Sequence, residues 1–318
     1  MNEPLPRGWH VRPPTLDDVD TVVALINAWY VAIGDPPEMS SQELRKDWHT
    51  IDLAEQACLI VDADGAVVAQ ADIFNRRYRQ VNIYIHIPPH PHEELMWSYL
   101  LQWGESWAAS HAHLGDNVQN VEVHHFMRAP HLQVANLLEA RGYGYVRTHY
   151  VMQIALTDAP PDPVWPAGIG VRSFRPGVDD DALFAAGEES FQDMWNRPPS
   201  TKERWLLPTQ GPSFDPLLWF LAYVKETNDV VGVGLCSIIA GSGEVDTLGI
   251  RRPWRQQGVG LALLQHALGE FFRRDITTVA LSVDAASPTG APRLYARAGF
   301  TVEKTFHRYV KQVAAGRA

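Results

Sequence analysis

Arg255-Gln256-Gln257-Gly258-Val259-Gly260 follows the apolar run Val245 to Ile250 and opens a helical pattern from Leu261 to Phe272. A strand, a tight glycine turn and a helix start in that order can hold a pyrophosphate. The two glycines keep side chains away and let backbone N–H groups converge on an anion, while the helix N-terminus adds its partial positive charge. Further on, Leu294-Tyr295-Ala296-Arg297-Ala298-Gly299-Phe300 ends a second short helix, after the apolar run Val279 to Val283. Two carboxylates, Glu244 and Asp246, stand at the start of the strand that leads into the glycine turn.

These elements imply a mixed α/β chain. The second half reads as a strand from Ile169, a helix from Asp180 to Phe191, a short helix at Lys202 to Leu206, and a hairpin of Leu218 to Lys225 with Val230 to Ile239. A strand from Glu244, the glycine turn and its helix, a strand from Thr277, the helix with Tyr295 and a last strand pair from Thr301 complete it. The first half repeats the plan. Asn136-Leu137-Leu138-Glu139-Ala140-Arg141-Gly142-Tyr143 parallels the block around Tyr295, and Val11-Arg12-Pro13 before Asp17 and Asp18 parallels Val171-Arg172-Ser173 before Asp179 to Asp181. Between the halves lies a Pro- and Asp-rich stretch, so the expected organisation is a domain at 1–156, a linker at 157–168 and a domain at 169–318. A length of 318 residues suits two such domains.

The paired blocks resemble the GNAT superfamily of N-acetyltransferases. The resemblance implies an α/β fold with an α+β mixed sheet, present as two tandem GNAT-like domains, in which two central parallel strands splay apart around the coenzyme's pantetheine arm. It also implies acetyl-CoA as co-substrate, its pyrophosphate on Arg255, Gln256, Gln257, Gly258, Val259 and Gly260. The backbone of Leu248, Gly249 and Ile250 would hold the acetyl carbonyl and pantetheine, with Gly249 suited to a strand bulge. Acetyl transfer to an amine needs a base, a donor to the carbonyl oxygen and an acid for the thiolate. Glu244 is the base by this resemblance, with Asp246 the reserve on the same side of the strand, and Tyr295 is the acid beside the sulfur. A solvated glutamate and a core tyrosine are the ordinary alternatives. The family often carries an Asn before the Leu-Tyr pair, where this chain has Asp284-Ala285-Ala286-Ser287-Pro288; Ser287 is the substitute, as coenzyme acceptor or helix cap.

The first half lacks these groups. Pro88-Pro89-His90-Pro91-His92-Glu93-Glu94 stands where a phosphate turn belongs, and Leu138 stands where Tyr295 does, so this half is expected to be degenerate and non-catalytic. A degenerate half before an intact one also resembles the mycothiol synthase group of tandem members, which acetylate a cysteinyl aminosugar. A non-catalytic acetyl-CoA-binding protein is the third reading.

The rest of the composition narrows the partners. A net charge of -10 argues against nucleic acid and suits an amine acceptor, either a small molecule or a peptide. No metal is expected. His86, His90, His92, His111, His113, His124, His125 and His131 crowd the first half without a recognised ligand spacing, and Cys58 and Cys236 read as core. No apolar run spans a bilayer and the first residues lack a secretory pattern, which points to a cytoplasmic monomer or homodimer. Trp195, Trp205, Trp219, Phe191 and Phe214 are candidates for lining the acceptor site or for core.

Overall fold

The computed structural model describes residues 4–316 except 77, 116–118, 130, 198, 212 and 240. The chain divides into two compact units, one of residues 1–147 with 306–318 and the other of residues 148–305.

The first unit begins with β1 (His10–Arg12), α1 (Val19–Ala32), α2 (Ser41–Trp48) and α3 (Leu53–Gln56). A capping box starts α2, with Ser40 accepting from the Glu43 amide at 3.2 Å while the Glu43 carboxylate accepts from the Ser40 amide at 3.0 Å. Next come β2 (Ala57–Val61), β3 (Val67–Arg76), β4 (Gln80–His86), α4 (Glu93–His111), β5 (Asn120–Arg128), α5 (Leu132–Ala140) and β6 (Gly144–Ala155). β1 to β4 pair antiparallel in sequence order, and β4 and β5 are parallel neighbours. The far edge of β5 is covered by residues 306–314, from Phe306↔Arg128 to Ala314↔Asn120.

The second unit takes in Thr148 to Ala155 of β6, then β7 (Ile169–Ser173), α6 (Asp180–Ser190), α7 (Lys202–Leu206), β8 (Trp219–Val224) and β9 (Val230–Ile239). It continues through β10 (Ser242–Ile250), α8 (Val259–Arg273), β11 (Thr278–Asp284), α9 (Ala291–Arg297) and β12 (Thr301–Ala314). β7 to β10 pair antiparallel in order, β10 and β11 are parallel, and β11 pairs with β6 from Asp284↔His149 to Thr278↔Ala155. Residues 157–168 therefore lie inside this unit. The last elements also differ from the expected strand pair, since Thr301 to Ala314 form one long strand that contributes to both units.

Each unit repeats one local device at its start. Arg12 grips Asp18 at the head of α1 with two bonds of 2.8 and 2.6 Å, and Arg172 donates to Asp179 at the head of α6 at 2.7 Å. The likeness read from Val-Arg before an Asp-rich helix start is thus a strand-to-helix ion pair in both cases. Helix α8 packs closely because β10 carries Gly243 at their crossing, where a side chain would meet the Phe271 ring at 2.8 Å. Phe271 is fully buried, a burial that contributes about 2 to 3 kcal/mol.

Candidate active site

Strand β10 is held differently along its two edges. Against β9 it is paired from Ser242↔Ile239 to Ile250↔Gly232, but against β11 only Gly243↔Val279 and Glu244↔Ala280 are in register. The parallel strands part just after Glu244. Along the edge that faces away from β9, alternate N–H and C=O groups from Val245 to Ile250 thus lose the ladder partner that β11 supplies earlier.

The bulge on this strand lies at Asp246 and not at Gly249. Val245 pairs with Cys236 and Thr247 with Leu235, which leaves Asp246 as the extra residue, and the alternation expected to bring Asp246 to the side of Glu244 is broken there. Gly249 keeps regular pairing with Val233. Its lack of a side chain serves a close approach instead, because a Cβ would stand 2.8 Å from Ser190 Cβ and 2.9 Å from the Phe191 ring. The end of α6 thereby sits directly on β10.

Four titratable groups gather near the parting strands. Burial raises the half-buried Glu244 carboxyl, and the charge of Asp246 raises it further. Asp246 is itself raised by desolvation, against a hydrogen bond from Ser237. The Cys236 thiol is buried and pushed up by desolvation and then by Asp246. Burial, followed by the influence of Cys236, pushes the Tyr295 phenol up to about 12. A carboxyl raised in this way is a stronger base, and a phenol held above its ordinary value stays protonated and able to donate. Tyr295 is 7% exposed in the core that also holds Val245, Leu281 and Val283 of the two parting strands.

The glycine turn has the conformation its sequence suggests. Gln256 has φ 60° and Gly258 φ 88°, and Gly258 is the residue before the 15 residues of α8. The first-turn N–H groups of α8 point out of the helix end with no intrahelical acceptor. Gly260 lets this end approach the strand and α9, since a Cβ there would lie 3.3 Å from Leu294 and 3.4 Å from Ile250. These features fit a pyrophosphate, with the backbone of Gln256 to Gly260 as its holder.

The Arg255 side chain is committed elsewhere. Its guanidinium donates to the carbonyl of Ile250 at 3.0 Å, the carbonyl of Ser190 at 3.0 Å and the carboxylate of Asp193 at 2.7 Å. Arg252 also pairs with Asp193, and Arg251 donates to Glu189 at 2.7 Å. Three arginines of the turn thus fasten it to the end of α6. Beside them Glu188 accepts from Trp205 Nε1 at 2.6 Å, Arg197 at 2.8 Å and the Ser200 amide at 3.1 Å, which ties down the segment that follows α6. Sequence reasoning missed Asp193, Glu188 and Glu189, because acidic residues near a helix end carry no motif. The arginines were visible, but their partners lie about sixty residues earlier.

The aromatic residues divide by burial. Trp219 and Phe174 are core, with Phe214 packed edge-on to Trp219 at 5.0 Å. Phe191 and Trp205 lie 6.2 Å apart with the Arg197 guanidinium over both rings. Trp195 is 36% exposed. Ser287 bonds Thr289 at 3.0 Å, and the position preceding α9 belongs to Gly290, φ 72°, so Ser287 is not the helix cap. Asp284 ends β11 by accepting from the Ala286 amide at 2.8 Å.

A solved structure titled as a GCN5-related N-acetyltransferase from Sphaerobacter thermophilus is 41% identical to this chain, with a TM-score of 0.91, covering 99% of this chain and 98% of the other. The chain belongs to the GNAT family. The model of the Acetyltransferase (GNAT) family matches residues 181–300, the stretch that contains Glu244, the glycine turn and Tyr295. Among curated relatives, the mycothiol acetyltransferase of Thermobispora bispora is 33% identical over 171 residues, and that of Streptomyces scabiei 34% over 179. Each match takes in 57% of the relative's length, so this chain aligns with little more than half of these proteins. A tandem GNAT protein of the clavulanic acid biosynthesis pathway shares the fold at 12% identity, with a TM-score of 0.71 over 98% of this chain.

GNAT members generally use acetyl-CoA as co-substrate. The GNAT fold of the first unit offers no comparable turn. Between β4 and α4 the chain reads Pro88-Pro89-His90-Pro91-His92, and Glu93 and Glu94 occupy the first turn of α4. Leu138, in the place of Tyr295, is fully buried. The histidines there are structural in part: His124 is buried, accepts from Arg308 at 2.7 Å and lies 3.1 Å from Glu122. Among the described residues no group of three or more His, Cys, Asp or Glu side chains is placed to hold a metal ion, and no helix is long and apolar enough to cross a membrane. Cys58 and Cys236 are both buried and unpaired.

Proposed function

We propose that the second unit transfers the acetyl group of acetyl-CoA to a primary amine of a small-molecule or peptidic acceptor. The observation that carries this reading is the parting of β10 and β11 immediately after Glu244, with a positive-φ glycine turn at one end of β10 and Tyr295 in the core shared with Val245 and Val283. Backbone groups of Gln256 to Gly260 bind the pyrophosphate, and main-chain groups of Leu248 to Ile250 orient the pantetheine and polarise the acetyl carbonyl. Ser287 contributes at the pantetheine side. Glu244, made more basic by burial and by Asp246, removes the proton from the ammonium so that the free amine attacks the thioester carbon. Tyr295 then protonates the departing sulfur or holds it by a hydrogen bond. The first unit takes no part in this chemistry, and the second unit, residues 148–305, carries the activity.

A narrower reading, acetylation of a cysteinyl aminosugar as in mycothiol formation, is favoured by the two relatives of that name at about one-third identity. The deciding assay is release of free coenzyme A thiol from acetyl-CoA against amino acids, polyamines, aminosugars, a cysteinyl aminosugar and peptide N-termini. Amine-dependent release identifies the acceptor class. Binding of acetyl-CoA without release from any amine would leave a non-catalytic coenzyme-binding protein.

A further inference from the structure

In the first unit β4 and β5 are paired in parallel from Gln80↔Glu122 to Ile83↔His125 and then part, and the gap opens into a cavity of about 260 Å³. Trp29, Tyr30, His86, Trp97, His125 and Phe126 are among its walls. An apolar cavity of roughly 150 Å³ is enough to admit benzene. This one is larger, and its wall is not purely apolar.

The polarity is specific. His125 Nδ1 lies 3.0 Å from the carbonyl of Ile83, which can only accept, so Nδ1 carries the hydrogen. Burial lowers His125 to about 4, keeping the ring neutral, and its Nε2 therefore presents a lone pair. His86 is held beside it, Nδ1 at 2.8 Å from Gln70 Oε1, and is lowered to about 3 by burial and then by His125. Two further wall residues, Trp97 and His131, have ring nitrogens that are buried and without a hydrogen-bond partner among the described residues. Arg128 on the same wall is matched by Asp35, with bonds of 2.9 Å from both Nε and Nη2. Aromatic faces, a neutral acceptor, an unmatched indole N–H and no open charge together select one kind of occupant.

We propose that this cavity is a binding site for a small uncharged aromatic molecule that carries a hydroxyl or N–H donor, seated against the His125 imidazole. The ring fills the space between Trp29, Tyr30 and Phe126, and the donor hydrogen bonds to His125 Nε2. The coenzyme is a poor occupant, because three prolines between residues 88 and 91 remove N–H groups where a pyrophosphate would need them and Glu93 and Glu94 follow.

The test is calorimetric titration of the full chain with phenol and with toluene, a pair of nearly equal size. Phenol is expected to bind saturably at one site per chain. His125→Phe should weaken phenol about tenfold and leave toluene nearly unchanged, because only the hydroxyl loses its partner. Ile33→Trp, which fills the cavity from a half-buried position on its wall, should abolish the binding of both and serves as the deciding variant if His125→Phe does not fold. Absence of saturable phenol binding, or binding that survives Ile33→Trp, overturns the site. Displacement of phenol by acetyl-CoA from a Gly258→Glu variant overturns the ligand class.

Discussion

Asp193 accepts a hydrogen bond from Arg255 at 2.7 Å, joining the segment after α6 to the glycine turn before α8. The same carboxylate takes Arg252, and the two guanidinium groups hold it below the usual carboxylate range. The segment from Phe191 to Phe214 and the proposed coenzyme turn therefore share one ionic fastening. Asp193→Ala should raise KM for acetyl-CoA about tenfold with a much smaller change in kcat, since the turn loses its anchor and Glu244 and Tyr295 keep theirs. Steady-state kinetics with acetyl-CoA varied at saturating amine check this, and an unchanged KM would make the pair ornamental.

Glu244→Gln removes the proposed base without changing its size. The expected loss is about 100-fold in kcat near neutral pH, shrinking as pH rises and more of the amine is already free. Because Glu244 is raised above the ordinary glutamate value, the wild-type rate should fall off toward acid at a higher pH than a normal carboxylate would give. A pH–rate profile of both proteins reads the two effects together. Identical profiles would shift the role to Asp246 or to solvent.

Tyr295→Phe should lower kcat by roughly 10- to 100-fold with little dependence on pH up to about 10, since the phenol stays protonated far beyond neutrality. Its melting temperature should change little, the hydroxyl having no hydrogen-bond partner among the described residues. Loss of stability in parallel with loss of rate would mark Tyr295 as packing alone.

Gly258→Glu puts a side chain at φ 88° and a negative charge at the helix end proposed to bind phosphate. The α8 core beneath it, from Val259 to Phe271, is untouched. Coenzyme binding measured by calorimetry should disappear while the circular dichroism spectrum is kept. Retained binding would send the pyrophosphate elsewhere.

Asp72 in β3 is 5% exposed, accepts one bond from Trp48 Nε1 at 3.2 Å, and is pushed by burial from 3.8 up to about 7. The native state holds this proton more tightly than the unfolded chain. The stabilising contribution is complete below about pH 4 and is lost as pH rises to about 7, a change of roughly 4 kcal/mol. Asp72→Asn should flatten that slope, so the decline in urea midpoint between pH 5 and pH 8 is smaller in the variant than in the wild type. Equal declines would show that Asp72 ionises without penalty.

Much of the second unit was legible because its signals are local. The hairpin strand Val230 to Ile239 and the helix Lys202 to Leu206 have the bounds expected from pattern, and α8 begins one residue after Gly258. What escaped was set by partners far along the chain. Gly249 reads as a bulge glycine until Ser190 and Phe191 are seen against it. Arg255 reads as a phosphate ligand until Asp193 arrives. The pairing of β11 with β6, and of β5 with residues 306–314, leaves no trace in composition or periodicity, because any alternating strand fits either edge. The cavity near His125 was hidden for the same reason, its walls coming from α1, β4, α4 and β5.

The placement of residues 306–314 on β5 has a consequence for how the molecule comes into being. A ribosome that has released the first 147 residues has made all of the first unit except the strand that covers its open edge, and must translate the entire second unit before that strand exists. Until then β5 offers an unpaired edge to any other strand nearby, the exposure that chaperones attend. The second unit, by contrast, is continuous and begins with the strand that covers β11, Thr148 to Ala155. A break anywhere between residues 147 and 306 therefore leaves the first unit without the strand that covers β5.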